Sequence, residues 1–291
     1  MGKVLHCGDR QLDLSRPRIM GVINVTPDSF SDGGLLMTGA PDLPRIVDTA
    51  RAMLAEGADI LDVGGESTRP GAETVPEEEE TRRVMPVVER LLELGTIVSL
   101  DTSKAGLAAR ALAAGVHLIN DVTGGRIPDL VTAVAERGAA VCLMHMQGEP
   151  RTMQKAPRYA DVVAEVRAFL TAQVQVCRRA GLSDQRQLVD PGFGFGKTLE
   201  HNLTLLRHLD EVRLEGPALL VGLSRKGMIG AITGRDVSRR AVGSAAAALL
   251  AVQRGADVVR VHDVAETADA LKVLASFTGR PWEPAERKGA T

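Results

Sequence analysis

The sequence predicts an α/β fold, a (β/α)8 barrel, and three observations lead there. A unit consisting of a helix tail, a glycine and a short apolar strand ending in polar groups recurs along the chain. Short apolar runs of this kind can be placed eight times, and a helical pattern lies in each interval. Eight strands alternating with eight helices is the count of a TIM barrel. A doubly wound open sheet shows the same alternation, and periodicity does not separate the two.

The elements follow in chain order. Val4 to Leu14 holds two short alternating runs around Gly8-Asp9, which predict a hairpin covering the barrel bottom. Gly21-Val-Ile-Asn-Val-Thr-Pro-Asp-Ser-Phe-Ser-Asp-Gly-Gly34 is an apolar run that delivers Asn24 to its end and then breaks into a turn-rich loop. Such a run, without alternation, suits a strand covered on both faces.

The repeated unit is clearest in Glu56-Gly-Ala-Asp-Ile-Leu-Asp-Val63, Ala114-Gly-Val-His-Leu-Ile-Asn-Asp121, Arg137-Gly-Ala-Ala-Val-Cys-Leu-Met-His145 and Arg254-Gly-Ala-Asp-Val-Val-Arg-Val-His262. Each glycine sits where a helix ends in a left-handed residue. Gly95 to Asp101, Arg186 to Asp190 and Pro217 to Ser224 are looser versions. Apolar spacing at three and four residues predicts helices over Leu43 to Glu56, Glu77 to Leu94, Ala105 to Ala114, Pro128 to Arg137, Ala160 to Ala180, Leu199 to Leu209, Arg239 to Arg254 and Val264 to Thr278. Four carboxylates, Glu77 to Glu80, open the second helix and read as a solvated face at its positive end.

One domain spans residues 1–278 on this reading, and the Pro- and charge-rich tail, 279–291, is expected to fray. Aromatics at 2% are too few for base stacking, and a net charge of −2 with interspersed signs leaves no basic stripe, so nucleic acid is excluded as a partner. The first ten residues lack a signal-peptide core and the longest apolar run, Ala245 to Val252, is far short of a membrane span, which together predict a cytoplasmic protein. Cys7, Cys142 and Cys177 are unpaired in spacing and argue against disulfides and zinc, with Cys142 read as core filler.

The strand ends carry Asn24, Asp62, Asp101, Asn120 with Asp121, His145, Asp190, Ser224 with Arg225 and Lys226, and Arg260 with His262. In a barrel these ends share one face. Each alone has an ordinary explanation, Asp121 satisfying a turn or His145 the core, but all of them together predict a pocket. Asp101, Asn120 and Asp190 offer acceptors and an amide to the edge of a flat heterocycle. Lys226, Arg260, His262 and Asn24 offer donors and positive charge to a phosphate or pyrophosphate. Two phosphates there would call for Mg²⁺, held mainly by phosphate oxygens, waters and one protein oxygen. Gly192-Phe-Gly-Phe-Gly196 lacks the spacing of a nucleotide fingerprint and reads as a close-approach loop with two aromatic faces.

Seven stretches together make the chain resemble the bacterial dihydropteroate synthases of the pterin-binding TIM-barrel family. They are Asn24 to Gly33, Gly64-Gly-Glu-Ser-Thr-Arg-Pro-Gly71, Ile119-Asn-Asp-Val122, Met144-His-Met-Gln-Gly148, Asp190-Pro-Gly-Phe-Gly-Phe-Gly-Lys197, Ser224-Arg-Lys226 and Arg260-Val-His262. The resemblance implies condensation of 6-hydroxymethyl-7,8-dihydropterin pyrophosphate with p-aminobenzoate, giving 7,8-dihydropteroate and pyrophosphate. It implies pterin contacts from Asp101, Asn120, Met144, Asp190 and Lys226, and pyrophosphate contacts from Asn24, Thr68, Arg260 and His262, with Asn24 also holding Mg²⁺. It implies p-aminobenzoate contacts from Phe30, Arg69, Pro70, Phe195 and Ser224, with backbone N–H groups near Ser224 meeting the carboxylate. The residues it implies for catalysis are Asp101, Asp190, Lys226, Asp28 and Arg69. A homodimer formed through late helices, near Arg239 to Arg254, and sensitivity to sulfonamides belong to the same expectation.

Three rival readings remain beside it: a pterin-binding relative without synthase activity, a folate-dependent methyltransferase domain, and an aldolase using Lys226. The last requires a neutral amine, which neighbouring Arg225 and a bound phosphate or pterin are expected to oppose.

Overall fold

The computed structural model describes residues 3–26, 41–67, 74–148 and 152–279. The hairpin comes first, β1 (Val4–Cys7) pairing antiparallel with β2 (Arg10–Asp13). Then β3 (Arg18–Asn24), β4 (Ile60–Gly64), β5 (Ile97–Asp101), β6 (Leu118–Asp121), β7 (Ala140–Met144), β8 (Gln187–Asp190), β9 (Ala218–Val221) and β10 (Val258–Val261) pair in parallel, each with the next. Because β10 also pairs with β3, the sheet closes into a barrel. The open-sheet alternative is thereby excluded.

Between the strands run α1 (Leu43–Glu56), α2 (Glu77–Leu92), α3 (Ala105–Ala114), α4 (Pro128–Arg137), α5 (Val162–Arg179), α6 (Leu199–Arg207), α7 (Leu209–Val212), α8 (Gly227–Thr233), α9 (Ala241–Gln253) and α10 (Val264–Thr278). Neither α7 nor α8 is among the predicted helices, because segments this short do not register an apolar period. The glycines of the repeated unit, Gly57, Gly115, Gly138 and Gly255, all have positive φ, and the first three are left-handed caps of α1, α3 and α4.

Two residues beyond three of these glycines, a polar side chain closes the bottom of the preceding strand. Asp59 accepts from Ile19 N at 3.0 Å, His117 Nδ1 from Val98 N at 3.1 Å and Asp257 from Leu219 N at 2.7 Å. Each of these amides belongs to the second residue of its strand and is buried, so a side-chain acceptor there spares it an unpaired donor.

Alternation then sorts the strand residues into two cores. Ile19, Ile23, Leu61, Val63, Val98, Leu100, Ile119, Val141 and Leu143 face outward against the helices. Met20, Ile60, Ile97, Leu118, Cys142, Leu188, Leu220 and Val258 fill the lower barrel, where Leu5, Cys7 and Leu12 of the hairpin cover them. The hairpin is the barrel's floor, as expected, and Cys142 is core filler. Burying each such aliphatic side chain contributes roughly 1.5–3 kcal/mol.

One expectation fails at α2. Glu77 and Glu78 are exposed, but Glu80 is fully buried and paired with Lys104, which also reaches Glu66 at 2.5 Å. The turn of the helix carries this fourth carboxylate inward, where burial raises its pKa and a cation from the next loop meets it. Among the described residues no helix is long and apolar enough to cross a membrane.

Candidate active site

The parity of each strand decides which polar ends meet. Asp62, Asp101, Asn120, Asp190 and Arg260 continue the inward series of Ile60, Ile97, Leu118, Leu188 and Val258. Asp121 continues the outward series of Ile119 and accepts from Thr123 N, Thr123 Oγ1 and Gly125 N instead, satisfying a turn.

Across the mouth, Arg260 donates from Nε to Asp62 at 2.6 Å and from Nη2 to Asp101 at 2.8 Å. Asn120 Nδ2 donates to the same Asp62 oxygen at 3.3 Å, while the buried Oδ1 of Asp62 has no hydrogen-bond partner. One guanidinium thus serves two carboxylates, and its pKa rises despite burial because of them. Burial holds Asp101 above the ordinary carboxylate range; Arg260 pulls it down and Asp62 pushes it up. The heterocycle half and the phosphate half anticipated from residue types therefore meet in a single charge cluster.

On the opposite wall, Asp190 accepts from Gly192 N at 2.8 Å. Burial raises its pKa, with Lys226 the leading opposing influence. The Lys226 ammonium bonds the carbonyl of Phe193 and lies 4.7 Å from the centre of the Phe195 ring. Burial lowers its pKa to about 8, Asp190 resisting and Arg260 assisting. Arg225 does not flank that amine as expected: it turns away to pair with Asp263. A guanidinium beside an ammonium lowers its pKa, as Arg260 does here, so Arg225 would not have opposed the aldolase reading even in contact; the pKa of about 8 still leaves the amine mostly charged at neutral pH.

Met144, Met146 and Met153 cluster with Val122 and Phe195, giving the mouth an apolar wall. Phe195 is half-buried there, whereas Phe193 is fully buried in the outer core, so only one of the two expected aromatic faces belongs to the site. Gly192 explains the tightness of this loop: a Cβ at its φ of +68° would lie 1.8 Å from the His145 carbonyl oxygen.

Ser224 sits under β10's end, its hydroxyl accepting from His262 N at 3.1 Å and lying 3.0 Å from His262 Nδ1. The next residue, Arg225, has φ +56°, a conformation that L side chains seldom adopt. Its N–H donates to Ser244 and its carbonyl accepts from Arg240, which pins the turn ahead of α8. Asn24 ends β3, with its Oδ1 3.9 Å from the position a Cβ on Gly64 would take; the Asp101 carboxylate is at the same distance from that point.

The match to known proteins agrees with this geometry. The pterin binding enzyme family matches residues 20–262. The dihydropteroate synthase of Escherichia coli K12 is 49% identical over 264 residues, 90% of this chain and 92% of that protein. The chain belongs to the pterin-binding enzyme family, among the dihydropteroate synthases. Among solved structures, Xanthomonas albilineans dihydropteroate synthase with 4-aminobenzoic acid has a TM-score of 0.89 and 49% identity, covering 97% of this chain and all (100%) of that one. Burkholderia cenocepacia dihydropteroate synthase complexed with 7,8-dihydropteroate has a TM-score of 0.86 and 45% identity, covering 96% and 97%.

Of the site residues that the family resemblance implies, Asn24, Asp101, Asn120, Met144, Asp190, Phe195, Ser224, Lys226, Arg260 and His262 all lie on β-strand ends or the loops after them. Asp28, Phe30, Thr68, Arg69 and Pro70 lie outside the described residues. Asp62, Met146 and Lys197 are additions. Asp62 was legible as a strand end, but only its parity sets it inside the barrel. His145 leaves the pocket and pairs with Lys197 at 2.9 Å.

Proposed function

We propose that this dihydropteroate synthase family member joins 6-hydroxymethyl-7,8-dihydropterin pyrophosphate to p-aminobenzoate by ionisation first and addition second. The observation carrying this reading is the mouth itself, where Asp62, Asp101, Asn120, Asp190, Lys226 and Arg260 face one space beside a wall of Met144, Met146 and Phe195. Carboxylates and an amide suit the pterin's N–H groups and carbonyl, and the thioethers suit its faces.

The C–O bond between the pterin's exocyclic carbon and the pyrophosphate breaks with its electron pair leaving on the phosphate. Arg260, with Nε and Nη2 on carboxylates, keeps its other terminal nitrogen for a phosphate oxygen, and His262 and Thr68 assist. Asp101 and Asp190 stabilise the cation left behind, which the electron-rich ring spreads. The aniline nitrogen, neutral at pH 7, then supplies its pair to that carbon and loses its proton to water. No strong base is needed, only placement by Phe30, Arg69, Pro70, Phe195 and Ser224, with Asp28 as a further catalytic contact.

Mg²⁺ on the pyrophosphate would neutralise leaving-group charge. Asn24 fits such an ion, a hard neutral oxygen at the strand end beside Asp101. Among the described residues no three His, Cys, Asp or Glu side chains converge as a cage, so the remaining ligands would be phosphate and water. We place the reaction in the cytoplasm, and we expect sulfonamides, shaped like p-aminobenzoate, to compete for its subsite. A homodimer is supported by the apolar side chains exposed on the last two helices, Val242 and Leu250 of α9 and Val273 and Phe277 of α10.

The test is pyrophosphate release and dihydropteroate formation by purified protein. Turnover should need the pterin pyrophosphate, p-aminobenzoate and Mg²⁺ together and cease with EDTA. Asp190→Ala should abolish pterin pyrophosphate binding, and Arg69→Ala should slow turnover while sparing it. Pterin binding without product would leave the non-catalytic relative instead.

A further inference from the structure

Lys197 ends the Asp190 to Lys197 loop, yet its side chain is buried, 3% exposed, and touches no carboxylate. Its ammonium meets the Gly192 carbonyl at 2.9 Å, the Phe195 carbonyl at 3.0 Å, and His145 through Nδ1 at 2.9 Å and the carbonyl oxygen at 3.4 Å. Four acceptors therefore surround one amine, whose pKa burial lowers to about 7 with Asp190 resisting and Lys226 assisting, so the cage rests on its N–H donors rather than on a full charge. His145 is held neutral by burial, its pKa lowered to about 3, so Nδ1 accepts and the proton rides on Nε2.

The rest of this loop is held in the same way. Gln154 donates to the Gly194 carbonyl at 2.5 Å, Tyr159 to the Gly196 carbonyl at 2.9 Å and Lys226 to that of Phe193. Every one of the five carbonyls from Gly192 to Gly196 thus accepts from a side chain, two of them from Lys197. Asn202 closes the set by accepting from Gly194 N at 2.8 Å. A loop without regular structure normally leaves such groups to water, and water bonds would not hold one geometry.

We propose that Lys197 is a positioning residue for p-aminobenzoate, clamping the Gly192 to Gly196 loop, with Tyr159 and Gln154, into a rigid platform that presents the Phe195 ring. It touches no substrate; it acts through Phe195, and so rests on the assignment of that ring to the p-aminobenzoate subsite. The pterin contacts Asp101 and Asn120 and the pyrophosphate contact Arg260 stand on other strands, and Asp190 and Lys226, which do bond the loop, meet it at Gly192 N and the Phe193 carbonyl rather than at Lys197.

Lys197→Met keeps a side chain of similar reach without donors. In the full chain with Mg²⁺ we expect the KM for p-aminobenzoate to rise about tenfold or more, with kcat at saturation and pterin pyrophosphate affinity by calorimetry each within about threefold. Amide exchange across residues 193–196 should quicken. An unchanged p-aminobenzoate KM overturns the proposal, and so does a parallel loss of pterin affinity, which would mean that Lys197 only holds the fold. Tyr159→Phe, which removes one hydroxyl and should fold, is expected to raise the same KM about threefold. If Lys197→Met does not fold, an unchanged KM in Tyr159→Phe overturns the clamp. Phe195→Ala separates the two levels. If its KM for p-aminobenzoate is normal, the subsite assignment fails and the proposal with it; if its KM rises while that of Lys197→Met does not, only the clamp fails.

Discussion

At the scale of the residue, Asp62 and Lys226 show how burial assigns chemistry. Asp62 keeps one oxygen on Arg260 and Asn120 and leaves the other buried and unpartnered, so the guanidinium carries most of its compensation. Asp62→Asn preserves shape but removes the charge and half of Arg260's anchorage, and should weaken pterin pyrophosphate binding about tenfold, or about 1.4 kcal/mol by calorimetry. Lys226 has a pKa of about 8 in the free protein, below its usual 10.5, so its amine is a charged donor at neutral pH and loses its proton as pH rises past 8. Since kcat/KM reports free-enzyme ionisations, kcat/KM for pterin pyrophosphate should fall above about pH 8. Lys226→Arg, charged throughout, should lack that limb whatever its absolute rate.

At the scale of the element, turns rather than strands carry the strain. Gly192 has both a positive φ and no room, so Gly192→Ala should destabilise the protein by about 2 kcal/mol or more in urea unfolding, with p-aminobenzoate binding lost alongside. The Ser224 to Lys226 turn is pinned by Ser244, Arg240 and Asp263, so Gly227, with nothing within 4 Å of its Cβ position, is not needed to relieve crowding there. On α2, Glu80 couples the helix to Lys104 and through it to Glu66, just after β4. Glu80→Ala strands a largely buried ammonium with one partner and should cost about 2 kcal/mol by the same measurement. Glu77→Ala, on the exposed turn, should stay within about 0.5 kcal/mol.

At the scale of the whole molecule, the barrel brings to one rim residues as far apart in sequence as Asp62 and Arg260. A floor of Leu5, Cys7 and Leu12 covers the lower interior, so the charge cluster at the top rests on a low-dielectric core. The adjacent helices α9 and α10 leave four large apolar side chains exposed, Val242 and Leu250 on the first and Val273 and Phe277 on the second, with Val242 and Phe277 at 79% and 92%. Replacing Val242 and Phe277 with Glu should convert a dimer to a monomer in sedimentation experiments; a native chain that sediments as a monomer would remove the dimer from this account.

What the sequence determined by itself was whatever depends on neighbours along the chain. Glycines after helix tails gave away the helix ends because only a left-handed residue closes a helix there. Apolar runs of strand length and helical spacing between them set the number of units, and the motif stretches identified the family. Tertiary structure alone decided which side each strand end faces, because that depends on the register of eight strands closing on themselves. Thus Asn120 points in and its neighbour Asp121 points out, Phe195 lines the mouth and Phe193 the core, and Glu80 meets a lysine rather than water. The sharing of Arg260 between Asp62 and Asp101, and of Lys197 among the carbonyls of its own loop, are contacts across the barrel or through a fold-back. No local period encodes them; they exist only once the chain has closed.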